Sequence, residues 1–406
     1  MLKATCGNER EVQFEKVYCY NVIYCNQMKK VFFNYLVIAT FAVSTAFTSC
    51  KKNDDNDIDD VIMSTIVMMT NMRGGTINMA GSGTVAIDWG DGSEIDTIML
   101  SSYISDDWLH WQNGNKYRYY HYYSYDASHS ITITGEITHL SCSNSSLTGL
   151  DVSKNLALTY LACRYNQLIS LELNNKLTYL DCGNNKLESL EVSKNTALAY
   201  LACWDNQLKS LDVRKNLVLT YLEVGYYSPY EDRGQLTNLD VSKNTALITL
   251  ICSGNQLVNL ELNNPKLTYL NCENNQLLSL NVSKCIALTS LGCSTNNLTS
   301  IDVSANPALE YLYCENNQLI NLDVSKNPAI AYLNCGSNQL TNLDMSNNVA
   351  LTHMYCYWNQ LDTDALNHLF RTLHANNTET KHILIGFNPG ADECDQSIAT
   401  KKGWNF

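Results

Sequence analysis

Ten cysteines occupy one recurring position between residues 142 and 356 of this 406-residue sequence, about 21 residues apart: Cys142, Cys163, Cys182, Cys203, Cys252, Cys272, Cys293, Cys314, Cys335 and Cys356. A thiol can attack, ligate, cross-link or simply fill space. Zinc needs four ligands around one point, which a single ligand per repeat does not supply, and no Cys-x-x-Cys spacing occurs among the ten. A nucleophile needs exposure and a neighbouring base. Disulfides between adjacent copies lie within backbone reach, but side chains leaving parallel strands in one direction fit the required dihedral poorly. Packing is the reading left standing. In the fifth copy Val224 takes the cysteine's place, and valine can fill space but cannot ligate, bridge or attack.

The elements that position these thiols follow from the surrounding pattern, L-x-x-L-x-C-x-x-N-x-L-x-x-L-x-V-S-x-N. Copies begin at Ile137, Leu158, Leu177, Leu198, Leu219, Leu247, Leu267, Leu288, Leu309, Ile330 and Leu351. A period in the twenties with this L/C/N spacing is the leucine-rich-repeat signature, so the fold class is mostly β, a solenoid of about eleven repeats. Each copy supplies one short strand to a parallel sheet. Alternation along the strand puts Leu180 and Cys182 inside and Tyr179 and Asp181 on the outer face. Asn185 and its equivalents (Asn166, Asn206, Asn255, Asn275, Asn296, Asn317, Asn338, Asn359) sit at the bend, where an amide can pair with unpartnered turn backbone. The copy from Leu219 carries a longer loop, Tyr226 to Arg233, that is a candidate ligand loop or a self-packed irregularity.

Outward positions carry the candidate binding residues. Tyr160, Tyr179, Tyr200, Tyr221, Tyr269, Tyr311 and Tyr332 form a stripe, joined by Trp204, Tyr165, Tyr226, Tyr313, Tyr355, Tyr357 and Trp358. Tyrosine gives rigid amphipathic contact area, and flat rings suit the C–H faces of sugars; cross-rung stacking is the competing structural reading. Asp181, Glu223, Glu273 and Glu315 beside them disfavour anionic ligands.

Residues 61–136 alternate as short strands with Gly and Asp turns, which indicates a small antiparallel sandwich. Asp88-Trp89-Gly90-Asp91-Gly92-Ser93, with His121-Tyr122-Tyr123-Ser124, resembles a PKD-type domain, which implies a non-catalytic spacer or adhesive module. Gly90 and Gly92 permit positive φ, and the pair Asp88 and Asp91 with His121 reads as a tie between turn and strand, with a metal or catalytic site as the alternative. The sandwich is expected to cap the first repeat. After residue 361, Leu366, Leu369, Phe370 and Leu373 share one helix face, Thr363 is a plausible N-cap, "HILIGFNPG" imitates another rung, and Trp404 can cover the last layer. Residues 362–406 are thus a C-terminal cap.

The N-terminal segment looks like a processing signal. Lys29-Lys30, the apolar run 31–46 and "FTSC" ending at Cys50 describe a secretory signal, with a membrane span as the alternative. Met28 is an ordinary signal start, which makes 1–27 a candidate upstream mis-start. "FTSC" resembles a bacterial lipobox, which implies lipidation of Cys50. The acidic stretch 51–60 reads as a solvated linker and resembles a surface-export tether. Removing residues 1–49 would take away five basic and three acidic side chains and move the net charge from −13 to −15. That balance argues against a nucleic-acid partner.

The thiol column within the repeats resembles the cysteine-ladder leucine-rich repeats of internalin-type bacterial surface proteins, over Ile137–Leu361. The resemblance implies binding or adhesion without catalysis or a cofactor, with a glycan or a host or cell-surface protein as partner and the membrane reached only through the N-terminal lipid. The anchors of the Gram-positive members are replaced here by Cys50, which points to the outer membrane. A structural envelope or matrix component without a dedicated ligand site is the alternative. No Ser-His-Asp set, metal cluster or phosphate loop appears in the sequence; His121, His129 and Cys394 are given no catalytic role, and the pairing of Cys285 and Cys394 stays open.

Overall fold

The computed structural model describes residues 64–71, 74–101, 118–123, 127–225, 234–376 and 380–406. The signal, Cys50, the acidic linker, Ser124 and the Tyr226–Arg233 loop lie outside these residues. Six strands precede the repeats: β1 (Thr65–Thr70), β2 (Gly74–Gly81), β3 (Thr84–Asp88), β4 (Asp96–Met99), β5 (Arg118–Tyr122) and β6 (His129–Thr134). The first repeats then supply β7 (Ile137–Ser141), β8 (Leu147–Asp151), β9 (Tyr160–Ala162) and β10 (Leu171–Glu172). β1 pairs antiparallel with both β6 and β8, and β2 pairs antiparallel with both β5 and β7. Both sheets of the sandwich therefore run directly into the two sides of the solenoid. β2 is the strand the sequence reading missed. Its Gly-rich, weakly alternating segment carries no strong period-2 signal, yet it joins the edge strand β5 to the first rung, β7.

The turn after β3 behaves as its motif implies. Gly90 and Gly92 adopt φ of 75° and 82°, and a Cβ on Gly90 would press against the Ser130 carbonyl. His121 Nε2 lies 2.8 Å from Asp91 Oδ2, Trp89 stacks on His121 at 4.7 Å, and the Tyr123 hydroxyl donates to the Trp89 carbonyl at 3.1 Å. Hydrogen bonds from Ser93 and His121 hold the Asp91 carboxyl well below its usual range. The Asp-His pair is a clasp between turn and strand.

From β7 onward the rungs are parallel and in perfect register: His139, Tyr160, Tyr179, Tyr200 and Tyr221 face one another across successive strands, as do Leu140, Leu161, Leu180, Leu201 and Leu222. One 15-stranded sheet results among the described residues. Between β7 and the last rung each strand of this sheet is only three residues long, so little of the rung's cohesion is ladder pairing. Side-chain amides supply the rest. Asn296 Nδ2 donates to the carbonyls of Cys272 (3.0 Å), Cys293 (3.1 Å) and Ser294 (3.2 Å), while its Oδ1 accepts from the Leu277 N–H at 3.0 Å. The same set recurs at Asn185, Asn275, Asn317, Asn338 and Asn359. A second amide ladder runs down the return side: Asn327 Nδ2 donates to the Val303 and Asn306 carbonyls. Cys285 replaces the asparagine of that ladder in one copy and is buried there. Threonine hydroxyls before the strands donate to the preceding rung as well, as from Thr178 to the Thr159 carbonyl at 3.1 Å.

The ten ladder thiols are at most 2% exposed and are not cross-linked. Burial pushes those of Cys142, Cys252 and Cys335 up to about 12, so they stay protonated and behave as small apolar groups. They belong to one contiguous core that reaches from Ile66 to Trp404.

At the far end, helix α1 (Thr363–Thr372) buries Leu366, Leu369 and Phe370 as the spacing predicts. Its N-cap is Asp362, not Thr363. The Asp362 carboxylate accepts from the Ala365 N–H at 2.8 Å, and the Thr363 hydroxyl donates to Glu393 instead. A charged acceptor one residue earlier fits the unpaired N–H groups and the helix dipole better than a hydroxyl. Lys402 Nζ donates to the carbonyls of Phe370, Arg371 and Leu373, closing the helix C-terminus. The strand Lys381–Leu384 extends the sheet as a further rung, with Asn388 repeating the amide contacts to Cys356, and Trp404 is buried in the cover. Replacing Asn296 by Ala is expected to cost roughly 2–4 kcal/mol, because one buried N–H and the carbonyls it served lose their partner. Urea unfolding of the two chains measures it, and Asn296→Asp should fare no better, since oxygen would then face those carbonyls.

Candidate functional site

The outward face of the long sheet is more crowded than alternation alone suggests. Tyr160, Tyr179, Tyr200 and Tyr221 stack face to face at 4.2, 4.2 and 4.3 Å, with planes within 11° of parallel. His139 extends the column at 5.6 Å. Parallel strands in register place identical rings about 4.8 Å apart, which leaves them no other comfortable arrangement. At the end of the column the Tyr221 hydroxyl donates to Glu223 at 2.7 Å. The ring faces are covered by one another. Open flat faces for sugars, expected from the sequence, are therefore not what this stretch of the stripe presents.

The other candidates divide by position. Tyr269 is buried between the short side chains of Thr249 and Ser290. Tyr332 joins Tyr313 (4.8 Å), Tyr355 (5.3 Å) and His353 (5.7 Å) in a second cluster, with Tyr313 and Tyr355 themselves buried. Tyr311 is half-buried in the same column. Trp204 lies over Gly183, where a Cβ would come within 2.3 Å of the indole, and Tyr357 lies over Gly336 in the same way. In each pair the large residue and the glycine hold the same position in adjacent copies, a signal present in the sequence as a small–large alternation. The acidic residues expected on the outside are also covered. Asp181 is 2% exposed and pairs with Arg164 at 3.4 Å. Glu315 accepts from the Tyr357 hydroxyl at 3.0 Å and from the Asn334 amide. They are covered because the aromatic neighbours are wider than the strand spacing and close over them.

Tyr165 and Trp358 are the exceptions among the candidates, 49% and 54% exposed. Both sit in the turn after the strand, directly before a ladder asparagine. Every described residue at this turn position has positive φ: Asn184 (51°), Asp205 (47°), Gly254 (70°), Asn274 (54°), Thr295 (55°), Asn316 (53°) and Ser337 (53°) are small or polar. Tyr165 (55°), Trp358 (52°) and Phe387 (61°) are not. A bulky side chain held in the left-handed region costs on the order of 1–3 kcal/mol. Trp358 and Phe387 stack at 4.4 Å with planes 15° apart, and Phe387 is equally exposed. Tyr165 packs edge-on against Trp204 at 5.3 Å, with the Arg164 guanidinium 5.9 Å from its ring centre. Phe387 and Arg164 escaped the sequence reading, the first because it lies beyond the last obvious repeat, the second because its partner comes from the next copy. Tyr226 lies outside the described residues. The fifth copy also lacks the ladder asparagine, and Asn255 from the next rung reaches back to the Val224 carbonyl at 2.9 Å.

No cluster of three or more His, Cys, Asp or Glu able to hold a metal occurs among the described residues. No helix among them is long and apolar enough to cross a membrane.

No protein-family profile matches the chain, and no curated protein matches it. Solved structures do. The chain is similar to the functional domain of InlJ from Listeria monocytogenes, described as including a cysteine ladder, at 35% identity and TM-score 0.58, over 66% of this chain and 59% of that one. An internalin, InlF, from the same organism aligns at 19% identity and TM-score 0.51, over 66% and 86% of the two chains, and shows the fold alone. YopM from Yersinia enterocolitica aligns at 27% identity and TM-score 0.50, over 62% and 51%. These neighbours show a leucine-rich-repeat solenoid, and the InlJ domain among them is one described as including a cysteine ladder. The chain spans 59% of the length of the InlJ domain.

Burial raises the Asp181 carboxyl to about 6, against the opposing pull of Arg164. Its folded value thus exceeds the roughly 3.9 of an unfolded chain, so the associated stability is complete below about pH 4 and is lost as pH rises through 6. Asp181→Asn should remove a loss of about 2–3 kcal/mol between pH 4 and 7. Denaturant titrations of both proteins at each pH reveal it as a flatter profile in the variant.

Proposed function

We propose that this chain is a non-enzymatic recognition protein, displayed at a bacterial cell surface, that binds a glycan or a host or cell-surface protein through the sheet side of its solenoid. One observation carries the reading: more than ten in-register rungs hold two aromatic clusters, around Tyr160–Tyr221 and around Tyr332, rigid before any ligand arrives, so little ordering entropy remains to be lost on binding. Tyrosine supplies most of both clusters, as it does at binding hot spots. The likeness to the InlJ functional domain supports the same direction.

In this reading the sandwich at 61–136 is a PKD-like spacer that lifts the solenoid from the membrane. Residues 28–50 are a lipoprotein signal, and lipidated Cys50 tethers the mature chain to the outer membrane through the acidic linker. Cys50→Ser should then move the protein from the detergent-soluble membrane fraction to the aqueous one and abolish its labelling by a radioactive fatty acid.

The stacking of Tyr160 through Tyr221 favours one alternative. Rings that cover each other's faces suit a scaffold, and a structural envelope component needs nothing more. The two separate on binding of the full chain to a panel of glycans and mucosal glycoproteins, beside a Tyr179→Ser/Tyr200→Ser variant shown by circular dichroism to be folded. Binding that falls at least tenfold in the variant locates recognition on the sheet face. A chain that binds no member of either ligand class favours the scaffold.

A further inference from the structure

We propose that the turn edge of the solenoid's C-terminal half is a saccharide-binding track, with Trp358 and Phe387 as its aromatic platform and an uncharged oligosaccharide as its ligand. This rests on the recognition reading above but places the contact on the edge of the sheet instead of its tyrosine face.

The first observation is conformational. The turn position demands positive φ, and most copies meet it with Gly, Asn, Asp, Ser or Thr. Two successive rungs carry tryptophan and phenylalanine there instead. Neither ring repays the strain by entering the core, since both are 54% exposed. Large rings held out in a costly backbone conformation are what a contact site requires and what a packing role does not. The second observation is geometric. Phe387 covers one face of the indole. The other face is turned toward the preceding rung, whose residue at this position is Ser337, too short to cover it. A flat apolar face open along the solenoid axis matches the C–H face of a pyranose.

The third observation is chemical. The turns at 274–276, 295–297, 316–318, 337–339 and 358–360 contain no charged side chain, in a chain of net charge −13. Gln318, Gln339 and Gln360 are exposed at equivalent places in successive rungs. Each side-chain amide offers a donor and an acceptor side by side, the pair that vicinal sugar hydroxyls complete. The rungs advance by about 4.8 Å, close to the advance per residue of an extended β-linked sugar chain, so one sugar can meet one amide per rung. With no lysine or arginine in these turns, nothing there selects an anionic glycan. A protein segment would also use the rings, but the regular row of uncharged amides favours a repeating polyol.

The test is calorimetric titration of the full chain with hexasaccharides of β-1,4-glucose, β-1,4-mannose, β-1,4-N-acetylglucosamine and α-1,4-glucose, and with an oligogalacturonate as the anionic counterpart. At least one neutral hexasaccharide is expected to bind, and the oligogalacturonate is not. Trp358→Asn and Phe387→Asn should each weaken that binding at least tenfold while the thermal midpoint stays equal or rises, because asparagine accepts the left-handed conformation. A packing role predicts the opposite change in midpoint. Failure of every neutral hexasaccharide to bind overturns the proposal, as does undiminished binding by both folded variants or equal binding of the oligogalacturonate. If binding survives Trp358→Asn but is lost in Tyr179→Ser/Tyr200→Ser, the edge proposal fails and the recognition reading stands.

Discussion

A solenoid built from three-residue strands depends on what happens to the backbone between them. Each rung leaves N–H and C=O groups at the bend that no ladder can reach, and buried unpaired groups of this kind are costly. One asparagine per rung resolves it. Its amide bridges its own bend to the rung before, donating to two or more carbonyls and accepting one N–H. Most of the architecture follows from that bridge. It requires the residue before it to turn left-handed, it sets the register so that like residues face like, and it closes the bend tightly enough that the inward position beside it accepts a thiol. The cysteine column is thus a consequence of a narrow layer.

Perfect register has a second effect, on the outer face. Identical side chains are brought to the strand spacing, and tyrosine rings at that distance stack. Stacking rigidifies the face and at the same time hides the ring faces from solvent. Wider residues at the neighbouring position lean over glycines of adjacent rungs and close over the carboxylates beneath them. Burial raises the carboxyls of Asp181 and Glu315 for that reason. The surface that is rich in aromatic residues by composition is consequently poor in open aromatic faces, and the exposed rings appear at the turns.

Both ends are finished by prolonging the sheets. At the start, β2 and β1 lie antiparallel on the first strand of each side, so neither edge of the first layer is left open. At the close, Lys381–Leu384 copies a rung and Asn388 copies the amide bridge. Lys402 satisfies the last carbonyls of the covering helix, and Lys381 donates to the Asn376 and Lys402 carbonyls beneath Trp404.

The repeat period, the inward cysteines, the amide at the bend, the helix face of Leu366, Leu369 and Phe370, and the tie between the Asp-bearing turn and His121 were all legible in the sequence. Each is written in local spacing, and repetition amplifies local spacing until it is unambiguous. β2, the cap at Asp362, the pairing of Arg164 with Asp181 and the stack of Trp358 on Phe387 were not. Each depends on which residues of different copies or segments meet, and on how much room the neighbours leave. Alternation along a strand states which way a side chain departs from the backbone. Whether it then reaches solvent is decided by the width of the side chains on the rungs either side, and that is known only once the rungs are stacked.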